Sequence, residues 1–367
     1  MNNSREIELG ELMPKEGRSS INPADYPSEA FELLSIPAYD RNSPEIALGG
    51  EIGSTKQVVQ PGDVLLSKIV PHIRRAWVVE KSAGSRQIAS SEWIVFSNNE
   101  ADARYLRHFL LSDGFHRQFM QTVSGVGGSL LRARPKYVAK IKIPLPPLEE
   151  QQRIAVILDR AQDIKGKAAQ RADLLSALGR SLFMRRFGLP SENPYELPLY
   201  RLVEICNPKQ WPTISSKQLK DSGYPVFGAN GLIGYFDRFN HPHPTVLVTC
   251  RGATCGTVNI SPPDCYVTGN SMAMDDPDYR LITTEYLAWV LRLRGMHDVI
   301  SGSAQPQITR QGLEAVTIPV PSIEEQGSFS NELRAVKRVD NSSRLSERSI
   351  SEVANCLAAQ LSGDGRA

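Results

Sequence analysis

The side chains best suited to chemistry are basic and amide groups, which gather at similar places in the two halves of the chain. Residues 132–136 read Arg-Ala-Arg-Pro-Lys and follow a loop of glycine and serine. In the second half, Gln305 and Gln307 flank a proline and precede Arg310. Guanidinium and ammonium groups neutralise phosphates, and Arg or Gln can also bond base edges. Nucleic-acid contact is one interpretation of these residues, and a solvated basic loop is the other.

Catalytic motifs of enzymes that act on nucleic acids are the next feature to consider. An adenine methyltransferase would carry an Asp/Asn-Pro-Pro-Tyr/Phe tetrad, but the Pro-Pro pairs here lie in Leu-Pro-Pro-Leu at 145–148 and Ser-Pro-Pro-Asp at 261–264. The acidic residues Asp278 and Glu285 lack the following lysine of a nuclease core, and no phosphate-loop lysine occurs. We therefore predict that this chain has no catalytic residues.

Three cysteines and two histidines in the second half raise the question of a zinc site. Cys250, Cys255 and Cys265 are separated by four and nine residues. His241 and His243 precede them. Structural zinc sites usually pair cysteines across two intervening residues, which is not the spacing here. We predict no bound metal, and we expect Cys250 to pack as a small apolar residue at the end of a strand.

The composition is that of an ordinary folded chain with room for two domains. Its 367 residues are 41% apolar and 22% charged, with a net charge of +2. This balance neither indicates nor excludes nucleic-acid binding, because local basic patches matter more than the sum. No apolar run has the length of a membrane span, and the five cysteines are irregularly spaced. We expect a cytoplasmic protein with free thiols.

A nine-residue segment occurs twice and divides the chain into two similar halves. The sequence Ile-Pro-Leu-Pro-Pro-Leu-Glu-Glu-Gln at 143–151 returns 175 positions later as Ile-Pro-Val-Pro-Ser-Ile-Glu-Glu-Gln at 318–326. Each copy closes a stretch with short, branched, strand-like runs and opens a long helical stretch. The pattern predicts an α+β protein in which a globule and a long helix alternate twice.

Shorter elements are predicted in the same order in both globules. We expect strands at 64–70, 77–79, 93–97, 245–249 and 257–260, and helices at 103–122 and 285–291. The loops between these landmarks differ in length and sequence. This pattern favours one scaffold that carries two different binding surfaces.

Both long helical stretches carry residues at alternating spacings of four and three, as in the seam of a coiled coil. The predicted seam consists of Ile154, Leu158, Ala161, Leu175 and Leu182 in the first helix, and of Phe329, Leu333, Val336, Ile350 and Leu357 in the second. A capping box formed by Ser322 and Glu325 predicts where the second helix begins. Since neither stripe should remain facing water, we expect the two helices to pack on each other.

This arrangement resembles the specificity subunit of type I restriction–modification systems over nearly the whole chain. The resemblance is carried by the helix-start segment at 143–154, by first-half segments at 62–69 and 88–93, and by second-half segments at 224–231 and 302–308. It implies two pseudo-repeated target recognition domains separated by two long antiparallel coiled-coil helices. The implied boundaries are recognition domains at 1–145 and 196–320, spacer helices at 146–188 and 321–361, a linker at 189–195 and a flexible tail at 362–367.

The resemblance also implies a function in which this chain chooses where partner enzymes act. Each target recognition domain would read one half of a split double-stranded DNA sequence, and the helices would set the unread gap. Modification subunits, expected as two copies, would methylate adenine at N6 with S-adenosylmethionine. A restriction subunit would add cleavage that depends on ATP and Mg²⁺, so no cofactor is expected in this chain.

Basic and amide residues are the candidates for DNA contact, since Lys and Arg neutralise phosphates while Arg, Asn and Gln bond base edges. They are Lys68, Arg74, Arg75, Arg132, Arg134 and Lys136 in the first half, and Asn230, Arg251, Gln305, Gln307 and Arg310 in the second. The alternative function is a coiled-coil adaptor with two protein-binding globules and no DNA read-out. Affinity for DNA that falls steeply as salt rises would distinguish the two.

Overall fold

The computed structural model describes residues 5–14, 19–82, 84–97, 100–125, 131–229, 231–302, 305–335, 353–354 and 356–357. The chain forms two compact units: the first comprises Met1–Ala168 with Arg344–Ala367, and the second comprises Ala169–Ser343. Both divisions fall inside the segments predicted as spacer helices, so each unit includes part of those segments. None of the helices among the described residues combines the length and apolar character of a membrane span.

The first unit is a strand-rich globule followed by the beginning of a long helix. Its strands are β1 (Arg5–Glu8), β2 (Ser20–Ile21), β3 (Ala30–Leu34), β4 (Glu45–Leu48), β5 (Lys56–Val58), β6 (Val64–Ser67), β7 (Ala76–Val78), β8 (Arg86–Ala89), β9 (Trp93–Phe96), β10 (Val123–Ser124), β11 (Arg132–Ala133) and β12 (Lys142–Leu145). Its helices are α1 (Ile36–Asp40), α2 (Ala103–Leu111), α3 (Asp113–Gln121), α4 (Pro135–Val138) and α5 (Leu148–Phe187), whose end belongs to the second unit. The predicted strands at 64–70, 77–79 and 93–97 correspond to β6, β7 and β9.

The strands of the first unit form two sheets and two separate pairs. The larger sheet has the order β2-β5-β8-β3-β4, in which β3 runs parallel to β8. The smaller sheet has the antiparallel order β7-β6-β9, and every residue of β6 and β9 is buried. The pairs are β1 with β12 and β10 with β11. The larger sheet was not predicted from the sequence, because β4 and β5 contain no fully buried residue and β5 shows no apolar run.

The helix predicted at 103–122 is two helices, α2 and α3, because Ser112 ends one and begins the next. Ser112 has an extended backbone with φ −71° and ψ 156°, and its side chain accepts a hydrogen bond from the backbone N–H of Phe115. Serine at such a position satisfies a free N–H of the following helix, so a new helix begins there. Phe109 and Phe115 stay buried on either side of the break, which kept the apolar spacing close to helical.

The second unit repeats part of this plan. Its strands are β13 (Leu199–Arg201), β14 (Asn207–Gln210), β15 (Tyr224–Gly228), β16 (Gly231–Phe236), β17 (Val246–Thr249), β18 (Val258–Ile260), β19 (Tyr266–Val267), β20 (Ser271–Asp275) and β21 (Thr317–Pro319). Its own helices are α6 (Leu202–Ile205), α7 (Thr284–Arg294), α8 (Arg310–Leu313) and α9, which is described over 323–335. The predictions at 245–249, 257–260 and 285–291 correspond to β17, β18 and α7.

The central sheet of the second unit has the same order as the smaller sheet of the first. Its antiparallel order β14-β20-β17-β18 contains β18-β17-β20, the counterpart of β7-β6-β9. A second sheet, β16-β15-β19, has β15 parallel to β19. The pair β13 with β21 corresponds to β1 with β12. The duplication seen in the sequence is therefore a duplication of the central sheet and of the strand pair that leads into each long helix.

A buried glutamine ties the start of α5 to α2 in the first unit. The Gln151 Oε1 atom accepts a hydrogen bond from the backbone N–H of Asp102 at 2.8 Å. Its Nε2 atom donates to the carbonyls of Glu100 at 3.2 Å and Pro146 at 2.8 Å. Asp102 caps α2, so one side chain connects the cap of α2 with the turn before α5.

Gln326 makes the same three hydrogen bonds in the second unit. Its Oε1 atom accepts from the backbone N–H of Thr283, the capping residue of α7, at 2.8 Å. Its Nε2 atom donates to the carbonyls of Leu281 at 2.8 Å and Pro321 at 2.9 Å. The glutamine that ends each copy of the repeated segment is therefore a structural residue that docks a globule helix onto a long helix.

Two tyrosines provide a second equivalent contact. The Tyr105 hydroxyl donates to the carbonyl of Pro144 at 2.7 Å, and the Tyr286 hydroxyl donates to that of Pro319 at 2.8 Å. Burial raises the pKa of both hydroxyls well above the ordinary value, so both remain donors at neutral pH. In each unit, a proline carbonyl of the strand that leads into the long helix thus accepts a hydrogen bond from the globule.

Most of the predicted seam residues that the structure describes lie in or against the core of their own unit. Ile154, Leu158, Ala161 and Leu357 belong to the core of the first unit, together with the small sheet. Phe329 and Leu333 belong to the core of the second, where Leu182 packs partly buried against it. Leu175 is half-buried. Val336 and Ile350 lie outside the described residues.

Within the second unit, α5 and α9 run antiparallel. A Cβ atom on Gly179 would lie 3.3 Å from the Leu333 side chain, whereas the Arg186 guanidinium donates to Ser328 at 2.8 Å and to Glu332 at 2.9 Å. Residue numbers rise along α5 as they fall along α9, which defines the direction. The predicted capping box is present, since the Glu325 backbone N–H donates to the Ser322 Oγ atom at 3.3 Å.

Candidate nucleic-acid interface

In the first unit, the basic segment is held by a three-stranded arrangement around Arg132. Arg132 pairs with Ser124 across β10 and β11, and on its other side with Ile69. The backbone N–H of Ala133 donates to the carbonyl of Lys68 at 2.8 Å. Arg132 is exposed and Ala133 is 2% exposed, as expected where successive side chains alternate between the faces of a strand. The arrangement presents the Arg132 side chain to solvent.

The second unit contains the same arrangement around Gln307. Gln307 pairs with Ser301 on one side and with Arg251 on the other. The backbone N–H of Ile308 donates to the carbonyl of Cys250 at 3.0 Å. Gln307 is exposed, whereas Ile308 is 2% exposed. Arg132 and Gln307 are 175 positions apart, the spacing of the repeated segment, and they occupy the same place in their units.

A glycine with a positive φ angle follows the outer strand in each arrangement. Gly125 follows Ser124 with φ 126°, and Gly302 follows Ser301 with φ 84°. A Cβ atom on Gly302 would lie 2.7 Å from the carbonyl oxygen of Gln305. Glycine is therefore required at position 302, directly after the residue that pairs with Gln307.

Charged and aromatic neighbours hold the exposed cations of the first unit. The Arg132 Nη2 atom lies 3.3 Å from the Glu92 carboxylate. The Arg134 guanidinium lies 5.8 Å from the centre of the Tyr137 ring, and the Lys136 Nζ atom lies 5.0 Å from it. Tyr137 is 41% exposed and is not among the residues predicted to contact DNA. The available signal was an aromatic residue directly after two basic positions, a combination that can stack on bases.

Arg74 is tied to the start of α3. It donates to the carbonyl of Leu111 at 3.1 Å and lies 2.6 Å from the Asp113 carboxylate. The hydrogen bond from Arg74 lowers the pKa of Asp113, so the pair is ionised at neutral pH. Arg74 keeps 37% of its side chain exposed and could still approach a phosphate.

Arg75 is a structural residue in this conformation. Its Nε and Nη2 atoms donate to the two carboxylate oxygens of Asp40 at 2.7 and 2.9 Å, and its side chain is 9% exposed. The hydrogen bonds from Arg75 lower the pKa of Asp40. A guanidinium already paired bidentately inside the unit cannot also bond a base edge. The structure therefore does not support Arg75 as a DNA contact.

The candidates of the second unit are less constrained. Arg251, Gln305 and Gln307 are exposed, and within the described parts of the chain their side chains make neither a hydrogen bond nor an ion pair. Arg310 differs, because its Nη1 atom donates to the side chain of Asn207 and to the carbonyl of Pro208. Lys68, in the first unit, is half-buried, and Asn230 lies outside the described residues.

The cysteines and histidines considered for zinc also lie in the second unit, and the backbone of Cys250 belongs to the arrangement around Gln307. His241 lies 2.9 Å from Asp275 through Nε2, and Cys250 and Cys265 are fully buried. Burial raises the pKa of both thiols, which disfavours the thiolate that binds a metal. Over the residues that the structure describes, no three His, Cys, Asp or Glu side chains are grouped closely enough to hold an ion.

Comparison with known proteins places both halves of the chain in one family. The profile of the type I restriction modification DNA specificity domain matches residues 1–172 and again residues 195–355. A Methanocaldococcus jannaschii protein provisionally named type I restriction enzyme MjaX specificity subunit is 25% identical over 228 residues, which are 53% of this chain and 52% of that protein. The type I restriction enzyme EcoprrI specificity subunit of Escherichia coli is 27% identical over 140 residues, 35% of this chain and 34% of that protein. The chain thus spans about half or less of the length of these relatives.

Solved structures show a similar fold at low sequence identity. The S subunit of a type I restriction-modification system from M. genitalium has a TM-score of 0.60 at 14% identity and covers 98% of this chain and 96% of that chain. A chain from a study of complex assembly and conformational transition in the type I R-M system has a TM-score of 0.51 at 22% identity, with 99% and 98% covered. These likenesses support the two-repeat fold.

Proposed function

The chain belongs to the type I restriction modification DNA specificity family, and on that premise we propose that it is a non-catalytic subunit that reads a two-part DNA sequence. The observation that carries the proposal is that the family match covers both repeats separately. Each matched half contains its own exposed arrangement, centred on Arg132 in one and on Gln307 in the other. Two reading surfaces on one chain favour a target with two parts.

The exposed side chains at these surfaces suit the two tasks of DNA recognition. Lys136 and Arg134 carry charges that can neutralise phosphates, which provides affinity without sequence preference. Gln305, Gln307 and Arg251 carry groups that can bond base edges, which provides preference. The small net charge of +2 means that this affinity depends on local patches.

Partner enzymes supply the chemistry in this proposal. Two methyltransferase subunits would use S-adenosylmethionine to methylate adenine at N6 where this chain directs them. Restriction subunits would add cleavage that depends on ATP and Mg²⁺. A cytoplasmic location is part of the same proposal, since the DNA and the cofactors are there. Nothing in the comparisons favours the adaptor alternative.

DNA binding and methylation test the proposal directly. The purified full chain should bind duplex DNA at low salt, and the logarithm of its affinity should fall linearly with the logarithm of salt concentration. With a methyltransferase subunit present, adenine methylation should map to one bipartite sequence. The chain alone should methylate nothing. Absence of DNA binding at low salt, or methylation by the chain alone, would contradict the proposal.

The long helices are the proposed spacer between the half-sites. Inserting four residues, about one helical turn, after Ala168 lengthens α5 near its middle. We expect the gap between the methylated half-sites to change while the bases of each half-site stay the same. New bases with the old spacing would show that the helices do not set the gap.

A further inference from the structure

Arg132 and Gln307 have matching backbone partners in their two units. Each is the middle strand residue of a three-stranded arrangement, with a serine before a glycine on one side. Each is followed by a buried apolar residue whose N–H bonds the neighbouring strand. The backbone therefore places the Arg132 and Gln307 side chains at corresponding points of the two units.

The neighbours of these two residues are matched in the same way. The backbone N–H of Lys68 donates to the carbonyl of Glu92 at 3.1 Å, and that of Cys250 donates to the carbonyl of Asn270 at 3.1 Å. Glu92 and Asn270 are therefore equivalent positions beside the arrangement. Beside Arg132 this position holds Glu92, whose carboxylate forms an ion pair with the arginine. Beside Gln307 it holds Asn270, whose side chain is a neutral amide.

The chemical difference between the two side chains corresponds to a difference in base preference. An arginine offers two parallel N–H donors, which match the O6 and N7 acceptors of guanine. A glutamine offers one donor and one acceptor, which match N7 and the N6 amino group of adenine. Since the backbone positions are the same, the base preferred at the corresponding point of each half-site should follow from the side chain.

We propose that Arg132 and Gln307 are equivalent specificity-determining residues, Arg132 selecting a guanine in one half-site and Gln307 selecting an adenine in the other. This inference rests on the proposed DNA-reading function. It adds which residue sets one base in each half-site and which base that is. Glu92 acts as a positioning residue, because its carboxylate orients the Arg132 guanidinium.

Reciprocal substitutions test the inference. Arg132→Gln, Gln307→Arg and the double variant Arg132→Gln/Glu92→Asn are compared with the wild-type full chain on duplexes randomised across both half-sites. Arg132→Gln should reduce discrimination for guanine at one position of one half-site by roughly 5- to 150-fold, as for one bidentate contact. The added Glu92→Asn change should shift that position to adenine. Gln307→Arg should replace adenine by guanine in the other half-site only.

Lys136→Gln is the matched control, because Lys136 is an exposed cation beside the arrangement and a candidate phosphate contact. It should weaken binding to all sequences by a similar factor and leave base preference unchanged. Thermal unfolding of every variant confirms that it is folded. If the wild-type chain reads a bipartite site and Arg132→Gln and Gln307→Arg leave every base preference unchanged, the inference is wrong. If the wild-type chain reads no such site, the proposed function itself fails.

Discussion

The two units share buried contacts but carry opposite charges where their globules meet the long helices. In the first unit, Arg104 on α2 lies 3.5 Å from Asp159 on α5, and His108 lies 2.7 Å from the same carboxylate. In the second, the signs are exchanged, since Glu285 on α7 lies 3.0 Å from Arg334 on α9. Duplication kept the neutral hydrogen bonds and changed the surface charges. Each globule is therefore matched to its own helix.

The hydrogen bonds of Gln151 and Gln326 should contribute most to stability, because both side chains are buried away from water. Gln151 is 1% exposed and Gln326 is 0% exposed. Replacing either with leucine leaves one N–H and two carbonyls without a partner, and the free energy of unfolding should fall by about 2–4 kcal/mol. Denaturant unfolding followed by circular dichroism measures the change. The matched control is Gln170→Leu, on the exposed face of α5, which should stay within about 0.5 kcal/mol. A loss in one unit only would show that the two contacts are not equivalent.

A glycine in α5 gives the next largest expected effect and separates the two units. A Cβ atom on Gly179 would lie 2.4 Å from the Trp289 ring, so Gly179→Ala should lower the free energy of unfolding by about 1–3 kcal/mol. Gly166, in the part of α5 that belongs to the first unit, would meet nothing within 4 Å. Gly166→Ala should therefore raise that free energy by about 0.5–1 kcal/mol through helix propensity. Equal effects of the two substitutions would refute the close packing of Trp289 on α5.

The repeats explain why much of the architecture could be predicted from the sequence. The long helix was predicted at 146–188 and occupies Leu148–Phe187, because proline stops, acidic first-turn residues and a four-three spacing are all local signals. The glutamine of the repeated segment was visible too, but two of the three hydrogen bonds of Gln151 reach residues about 50 positions away. Repetition showed that the residue matters, and the structure shows what it does.

The candidate site was less predictable, because residues far away in the sequence determine which of its side chains are buried and which are exposed. Arg74 and Arg75 are adjacent in sequence, yet Arg75 is buried against Asp40 and Arg74 remains partly exposed. The pairing of Arg75 with Asp40 spans 35 positions and follows from the fold of α1 against the sheets. The five-stranded sheet was missed for a related reason, since its outer strands, β2 and β4, bury too little apolar surface to produce a pattern.

His108, where α2 meets α5, should make the free energy of unfolding depend on pH. The equivalent contact in the second unit should give no such dependence. Burial lowers the pKa of His108 below 6.5, although its hydrogen bond to Asp159 opposes the shift, and Arg104 and Arg107 also face it and favour the neutral ring. Because the His108 ring is harder to protonate in the folded state than in the unfolded state, the free energy of unfolding decreases as the pH falls from 6.5 through the lower pKa of the folded state. His108→Gln should flatten that part of the unfolding free energy against pH. The corresponding residue on α7 is Trp289, which does not titrate, so an unchanged pH profile in His108→Gln would contradict this account.

The exchanged charges should give the smallest effect, because both pairs are partly open to solvent. The side chains of Glu285 and Arg334 are 31% and 58% exposed, and such pairs usually contribute about 0.2–1 kcal/mol. Glu285→Arg places two guanidinium groups together and should lower the free energy of unfolding by that amount. The double variant Glu285→Arg/Arg334→Glu should recover it, since the pair then has the polarity of Arg104 with Asp159. High salt should shrink the loss in the single variant by screening the repulsion. A double variant as unstable as the single one would show that the signs of these charges do not match each globule to its helix.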